Sequence, residues 1–289
     1  MTALTGEALE LAEEHPTQQR RRRRLHGRWA LPLWGWLVIA WLCAPIIVMI
    51  VFGFNNYPGK FNTNWHGFTF KWYRHLFAIG DLTTSLENSL SIAAIVTVIA
   101  TILGTLLGMS LGRYRFFGSG SVNLLLFANI AAPEIVLGAA LLSFFLTLGI
   151  PRGYWTIVIA HVMFSIAYVA VTVKARMAGM DPALEEASRD LGAGPVVTFF
   201  RVTLPMLMPG VLAGALLTFA LSIDDYIITS FNNGSTQTFP LWVYGASQRN
   251  GGSVPAQVNV MGTLIFGFGV LVAVIGFAVN REKKVRDSS

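Results

Sequence analysis

The chain has 289 residues, of which 54% are hydrophobic and 12% are charged, and its formal net charge is +6. A soluble domain of this length carries roughly twice that charged fraction, so the composition excludes an ordinary water-soluble enzyme or binding domain. The single cysteine excludes a fold held together by disulfide bonds.

The first segment, residues 1–30, is polar and carries a run of arginines at residues 20–24. We expect a disordered tail, with at most a short surface helix within residues 1–19. A basic block directly before an apolar segment is typical of membrane proteins, where it keeps that end in the cytoplasm. This interpretation is favoured over nucleic-acid binding, so no nucleic-acid partner is expected.

Six apolar stretches follow, each close to or above the ~20 residues with which a helix crosses a bilayer. Nearly all ionisable groups lie between them. This pattern predicts an all-α polytopic membrane protein with six transmembrane helices and a membrane domain at residues 31–280. The predicted spans are 31–52, 89–111, 121–146, 154–173, 207–230 and 259–279.

Lysine and arginine predict the orientation. With the N-terminus inside, 16 of the 21 basic residues fall in cytoplasmic segments and 5 in external ones. Basic residues favour the cytoplasmic side, so both termini are predicted to be cytoplasmic, including a short tail at 281–289. Two long external loops result, at 53–88 and 231–258. Their Trp and Tyr residues favour anchoring at the membrane interface over a landing surface for an external protein.

A polar insert at residues 174–206 lies on the predicted cytoplasmic side. Asp181 and Pro182 are typical of a helix start. Glu185 and Arg189, four residues apart, are predicted to pair on the polar side of this helix. The opposite face is small and mostly apolar, and it consists of Leu184, Ala187, Ser188 and Leu191.

Glycines are predicted to end this helix. Gly192 and Gly194 allow a left-handed turn, and Pro195 can start a second short helix. Two helical pieces that meet at a glycine corner suit insertion into a groove on another protein. An ordinary solvated loop is the alternative.

The insert also resembles a motif of the permease subunits of bacterial ABC importers. That motif is Glu-Ala-Ala, three residues, Gly, nine residues, an aliphatic residue, one residue, and Leu-Pro. Here Ser replaces the second Ala, and the spacing is kept throughout. The matching residues are Glu186, Ala187, Ser188, Gly192, Val202, Leu204 and Pro205. The chain therefore resembles a type I ABC importer permease.

The resemblance implies that residues 174–206, with Glu185 beside the motif, form a coupling loop that docks on a cytoplasmic ATPase. It implies a heterodimer with a second permease subunit, two ATPase subunits, and an external substrate-binding protein at the two outer loops. The sequence has no Gly-x-x-x-x-Gly-Lys-Ser/Thr loop, so we expect no enzyme activity in this chain. No cofactor or metal is expected in it, and ATP and Mg are expected on the ATPase. The implied location is a bacterial plasma (inner) membrane, crossed several times.

Three acidic residues lie within the predicted spans, where Lys and Arg are absent: Glu134, Asp224 and Asp225. Placing a carboxylate near the bilayer centre costs about 2.5–3.5 kcal/mol, so each of these residues is expected to have a role that offsets this cost. A cationic substrate in a polar pathway is one candidate. Glu134 follows Pro133, which is expected to kink the third span. For Glu134 itself, a role as a gate or cation contact is as strongly indicated as a structural hydrogen bond to a neighbouring helix. His161 is expected to be a hydrogen-bonded packing residue.

Helical spacing ranks the two aspartates. Asp225 belongs to a polar stripe, so it is predicted to line the pathway with Ser222, and Tyr226 beside it can offer a cation–π contact. Asp224 shares an apolar face and is expected to meet a partner subunit or to break the helix. If both lie near the outer surface, they are simply solvated. The stripe consists of Thr218, Ser222, Asp225 and Thr229.

Further segments resemble the second permease subunit of spermidine/putrescine importers, over residues 32–280. They are residues 221–231, residues 132–145 and the FKWYRHLF segment. The implied function is half of a translocation pathway for polyamines. Other small solutes (an opine-like amino acid derivative, a phosphonate or ferric iron) are alternatives within the same machinery. A proton-coupled secondary transporter is an alternative outside it.

Overall fold

The computed structural model describes residues 15–58 and 62–286, and within them the regular structure is helical. The chain divides into two compact units, residues 1–76 with 254–289, and residues 77–253. A π-helical turn, Phe199–Thr203, joins the short helix that ends at Thr198 to the long helix that begins at Leu204. In chain order the α-helices are α1 (His15–Phe52), α2 (Lys71–Arg74), α3 (Gly80–Arg113), α4 (Ser119–Ala131), α5 (Glu134–Thr147), α6 (Tyr154–Ala178), α7 (Ala183–Asp190), α8 (Pro195–Thr198), α9 (Leu204–Asp224), α10 (Ile227–Asn232), α11 (Phe239–Arg249) and α12 (Ala256–Arg286).

Three boundaries differ from the predictions. Helix α1 begins at His15, so residues 15–30 of the expected tail are helical, and residues 1–14 lie outside the described residues. Helix α3 begins at Gly80, which shortens the first external loop. The second external loop contains α11, which the sequence did not predict.

The first unit is built on the contact between α1 and α12. A Cβ on Gly262 of α12 would lie 2.7 Å from the Met49 sulfur of α1, so the bare backbone permits this approach. The backbone N–H of Ala256 donates to the Tyr57 hydroxyl at 3.3 Å. From Pro32 to Phe52, α1 is apolar with largely exposed side chains, as expected of a helix that faces lipid.

The centre of the second unit is α6, which packs between α3 and α9. Small residues bring the backbones together, as is common where membrane helices cross. A Cβ on Gly108 of α3 would lie 2.5 Å from the carbonyl oxygen of Ala170 in α6. A Cβ on Gly214 of α9 would lie 3.2 Å from the side chain of Val169, also in α6. These three helices therefore form a closely packed group.

The third predicted span, 121–146, is not one helix. It consists of α4 and α5, which are bent by 109° relative to each other. The cause is Pro133, which disfavours a helical conformation in the residue before it; Ala132 is accordingly extended, with φ −68° and ψ 136°. The expected kink is thus a complete break, and Glu134 becomes the first residue of α5.

The all-α prediction is confirmed, whereas the count of six spans stays a prediction. In the described parts of the chain, four helices are long and apolar enough to cross a membrane, or five if α4 and α5 together count as one. The last predicted span, 259–279, falls within α12. The cytoplasmic position of both termini also stays a prediction.

Candidate functional site

The fifth predicted span, 207–230, breaks at Asp225, whose backbone is extended with φ −64° and ψ 123°. Its side chain then caps α10. Oδ2 accepts from the backbone N–H and the hydroxyl of Thr229, both at 2.7 Å, and Oδ1 accepts from the N–H of Ile228 at 3.4 Å. The first turn of any helix has amide groups without an intrahelical partner, and Asp225 satisfies them here.

His161 of α6 completes this buried network. Its Nε2 lies 3.1 Å from Asp225 Oδ2 and 2.9 Å from Thr229 Oγ1, while its Nδ1 lies 2.8 Å from Ser222 Oγ. The side chain is 1% exposed. The expectation of a hydrogen-bonded packing histidine is confirmed. The predicted spans contain no Lys or Arg, but His161 provides a partner for Asp225.

The polar stripe is confirmed as a shared face, since all four of its residues are buried. That face is turned towards α6, so the geometry does not support Asp225 and Ser222 as groups open to a pathway. Asp224, the last residue of α9, is the exposed carboxylate at this break. The exposure of the two aspartates is thus opposite to that expected from the predicted ranking, because helical spacing shows which residues share a face and not which neighbour covers it. Which of the two meets a substrate stays a prediction.

Two exposed carboxylates come together at the two helix breaks. Asp224 ends α9, Glu134 begins α5, and they are close enough for their charges to interact. A carboxylate is favoured at a helix N-terminus and disfavoured at a C-terminus, so Asp224 lies at the unfavourable end of α9. Within the described residues, no Lys or Arg forms an ion pair with either of them. The same residues include no group of three His, Cys, Asp or Glu side chains arranged to hold a metal ion.

Tyr244 was missed by the sequence analysis. Its ring lies 4.7 Å from the ring of Tyr226, measured between centroids, and both side chains are at least partly exposed. Tyr226 thereby keeps its predicted place beside the break, and α11 brings Tyr244 to it. Pro240, at the second position of α11, was the available signal of a helix start inside the outer loop.

The polar insert, residues 174–206, forms the helices and the turn that were predicted. Asp181 Oδ1 accepts from the N–H of Ala183 at 3.0 Å, at the start of α7. Gly192 has φ +84° and makes the left-handed turn. Gly194 has φ −70°, so the prediction that it shares this role is wrong. Pro195 begins α8 as predicted.

Glu185 does not pair with Arg189. Its Oε2 lies 2.5 Å from Nη2 of Arg113, at the end of α3, and its Oε1 accepts from the hydroxyl of Thr203 at 2.9 Å. The side of α7 that carries Glu185 packs against α8 and the π-helical turn, so its carboxylate is buried. A buried carboxylate needs a close partner, and Arg113 provides one.

The other residues of the motif are more accessible. Glu186 and Ala187 are exposed, and Ser188 Oγ lies 3.1 Å from Thr198 Oγ1. Leu204 is half-buried at the start of α9, and Pro205 is exposed. The apolar face of α7 forms one wall of an open groove of about 620 Å³, and the other wall includes Val197, Val202 and Pro205.

Comparison with known proteins gives matches along most of the chain. The family described as binding-protein-dependent transport system inner membrane component matches residues 100–284. The spermidine/putrescine transport system permease protein PotC of Escherichia coli K12 is 36% identical over 247 residues, which cover 85% of this chain and 92% of PotC. The putrescine transport system permease protein PotI of the same strain is 39% identical over 265 residues, covering 87% and 92%.

Solved structures share the fold. A bacterial ABC transporter involved in the import of the acidic polysaccharide alginate matches with a TM-score of 0.62 at 17% identity, covering 91% of this chain and 97% of that chain. The MetNI methionine ABC transporter in an inward-facing conformation matches with a TM-score of 0.57 at 18% identity, covering 70% and 95%. At these identities the likeness concerns the fold alone.

The two adjacent aspartates are expected to differ in their effect on stability. Asp225→Asn replaces a carboxylate that accepts hydrogen bonds from Ile228 and Thr229 and contacts His161 Nε2 with an amide that also donates, so it should lower the free energy of unfolding by about 1–3 kcal/mol. Asp224→Asn, at an exposed position, should change it by less than about 0.5 kcal/mol. Thermal unfolding of the full chain in detergent measures both. An equal fall in Tm for Asp224→Asn would contradict the assignment of Asp225 as the cap.

Proposed function

We propose that this chain forms half of the pathway of an ATP-driven polyamine importer. The proposal starts from its family: the chain belongs to the binding-protein-dependent transport system inner membrane component family. Membership makes it a transport component, and its fold is that of type I ABC importer permeases. One observation carries the choice of cargo. The chain aligns over more than four fifths of its length with PotC and PotI, whose names specify spermidine and putrescine.

The charges at the helix breaks support a cationic cargo. Asp224 and Glu134 repel each other, so a cation that lies between them lowers the energy of both. Spermidine and putrescine carry ammonium groups separated by methylene chains. The carboxylates suit the ammonium groups, and the rings of Tyr226 and Tyr244 suit a cation or the methylene chain. A phosphonate would instead meet charges of its own sign.

The buried network has a supporting part in this proposal. Asp225, Ser222 and His161 hold the end of α9 against α6. The substrate would meet Asp224, Glu134 and the tyrosine pair, while the network keeps the break in one geometry.

The coupling loop supports the proposed partners. Its groove and the exposed Glu186 and Ala187 form a surface for an ATPase subunit, which would bind the ATP and Mg. A second permease would complete the pathway in a heterodimer. An external binding protein would deliver substrate at the outer loops; a solved alginate transporter structure contains such a periplasmic protein, bound to an alginate pentasaccharide.

Uptake into vesicles tests the whole proposal. Proteoliposomes with this chain, the second permease, the ATPase and the binding protein should accumulate labelled spermidine or putrescine only with ATP and the binding protein. ATP hydrolysis with no polyamine entry or competition would refute the cargo and keep the importer. Uptake that survives loss of the ATPase but collapses with the proton gradient would favour secondary transport.

Neutralising the exposed carboxylates should weaken the apparent affinity of the pathway. Asp224→Asn or Glu134→Gln removes a charge-assisted contact of about 1.5–3 kcal/mol, so the KM for polyamine uptake should rise about tenfold or more. Asp224→Glu keeps the negative charge at the same exposed position, so it is the control and should leave KM nearly unchanged. Equal kinetics in all three variants would remove Asp224 and Glu134 from the pathway.

The two glycines of the coupling loop should respond differently to a side chain. Gly192 has a positive φ that valine rarely adopts, so Gly192→Val should disturb the turn after α7 and reduce uptake about tenfold or more. Gly194 has an ordinary φ and open space at its Cβ position, so Gly194→Val serves as the matched control. Co-purification of the ATPase and uptake measure the effect. Normal uptake with Gly192→Val would argue against docking through this turn.

A further inference from the structure

Helix α7 meets the end of α3 across a gap. A cavity of about 140 Å³ lies between them, with Met109, Tyr114 and Phe199 among its walls. The ion pair between Arg113 and Glu185 also lines this cavity and spans the distance between the two helices. A charged contact therefore holds α7 to α3 where side-chain packing is incomplete.

The same carboxylate reaches a third element. While one oxygen of Glu185 pairs with Arg113, the other accepts from the hydroxyl of Thr203. Thr203 is the last residue before α9. One side chain thus connects α7 with the ends of two long membrane helices, α3 and α9.

The Leu-Pro of the motif explains why the Thr203 hydroxyl can reach Glu185. Proline has no N–H, and in a regular α-helix the ring of Pro205 would clash with the carbonyl of Arg201. The chain widens there into the π-helical turn, in which the N–H of Leu204 donates to the carbonyl of Phe199, five residues back. Such a turn rotates the residues before it relative to those after it, and π-turns are frequent at functional sites. It brings the Thr203 hydroxyl to Glu185.

A stabilising role alone does not explain this arrangement. A buried ion pair is often no more stabilising than apolar side chains of the same volume. Its hydrogen bonds are directional, however, and they hold α7 in one rotation and position. The side chain of Glu185 is 7% exposed and that of Arg113 is 27% exposed, so water competes little for the carboxylate.

We propose that Arg113, Glu185 and Thr203 are positioning residues that make α7 move as one body with α3 and α9. A displacement of α7 by the ATPase would then reach both membrane helices together. The inference rests on the proposed docking of the coupling loop on the ATPase and is independent of which solute is carried.

Single substitutions test the connection in the assembled transporter. Glu185→Gln and Thr203→Val should lower the number of substrate molecules taken up per ATP hydrolysed at least fivefold, with basal ATP hydrolysis and assembly retained. Arg115→Gln alters an exposed charge two residues from Arg113 and should leave this ratio unchanged. An unchanged ratio in Glu185→Gln would overturn the proposal.

A covalent replacement separates positioning from folding. With Cys43, the single cysteine, changed to serine, Arg113→Cys and Glu185→Cys can be joined by a short, reducible bifunctional methanethiosulfonate. Joining should restore the ratio to within about twofold of the unsubstituted complex, and a reducing agent should abolish it again. A ratio that stays low whether or not the cysteines are joined would overturn the proposal.

A second readout keeps this test apart from the choice of cargo. The stimulation of ATP hydrolysis by the binding protein needs no labelled solute, and it should fall and recover in parallel with the ratio. If the unsubstituted complex takes up no polyamine, the proposed cargo fails, and stimulated hydrolysis alone decides on Arg113 and Glu185. If neither the substitutions nor the cross-link change this stimulation of ATP hydrolysis, the proposed connection of α7 with α3 and α9 is refuted.

Discussion

The membrane part of this protein depends on how interrupted helices satisfy their free backbone groups. In a bilayer, water is not available to the amide and carbonyl groups at a helix end, so the protein must provide partners. Asp225 does this for the start of α10, and His161 holds Asp225 in turn. The side chain of Asn232 donates to the carbonyl of Ile228 at 2.9 Å at the other end of α10. The break is therefore a fixed feature of the fold.

The two breaks also support each other. Helix α10, which follows the break at Asp225, packs on α5, which follows the break at Pro133. Gly138 of α5 makes this possible, because a Cβ there would lie 2.7 Å from the ring of Phe231 in α10. Asp224 and Glu134 are brought together by this packing, although 90 residues separate them in the sequence.

Helix α9 connects the break with the coupling loop. It runs from Leu204 to Asp224, about 31 Å at 1.5 Å per residue. Its contact with α6 is close along its length, because Gly210 lies against Arg176 and Gly214 against Val169. Displacement at one end of such a helix is transmitted to the other, since close-packed helices slide as bodies more easily than they bend.

The sequence predicted those features that depend on local chemistry. The all-α class follows from the long apolar stretches. The start of α7 just after Asp181 and Pro182, the turn at Gly192 and the start of α8 at Pro195 each follow from one or two residues with strong backbone preferences. Pro133 gave a correct position for the third-span break but not its 109° angle, which depends on packing.

The predictions that failed concern side chains whose partners lie far away in the sequence. Glu185 has Arg189 four residues away, yet it pairs with Arg113, 72 residues distant in the sequence. Asp225 was assigned to a pathway because its partner, His161, lies on another helix. Burial decides both cases, since a carboxylate that is removed from water takes the best donors within reach, and sequence spacing does not reveal them.

The break between α4 and α5 also has an electrostatic consequence. The last carbonyl groups of α4 have no amide partners within that helix, and those of α9 are in the same position beside Asp224. Helix C-termini carry a partial negative charge, so both helices add a negative potential without any ionisable group. At each break, however, the N-terminus of the next helix, α5 or α10, adds the opposite partial charge. The backbone alone therefore gives little net potential, and attraction for a cation at these breaks depends on ionised Asp224 and Glu134.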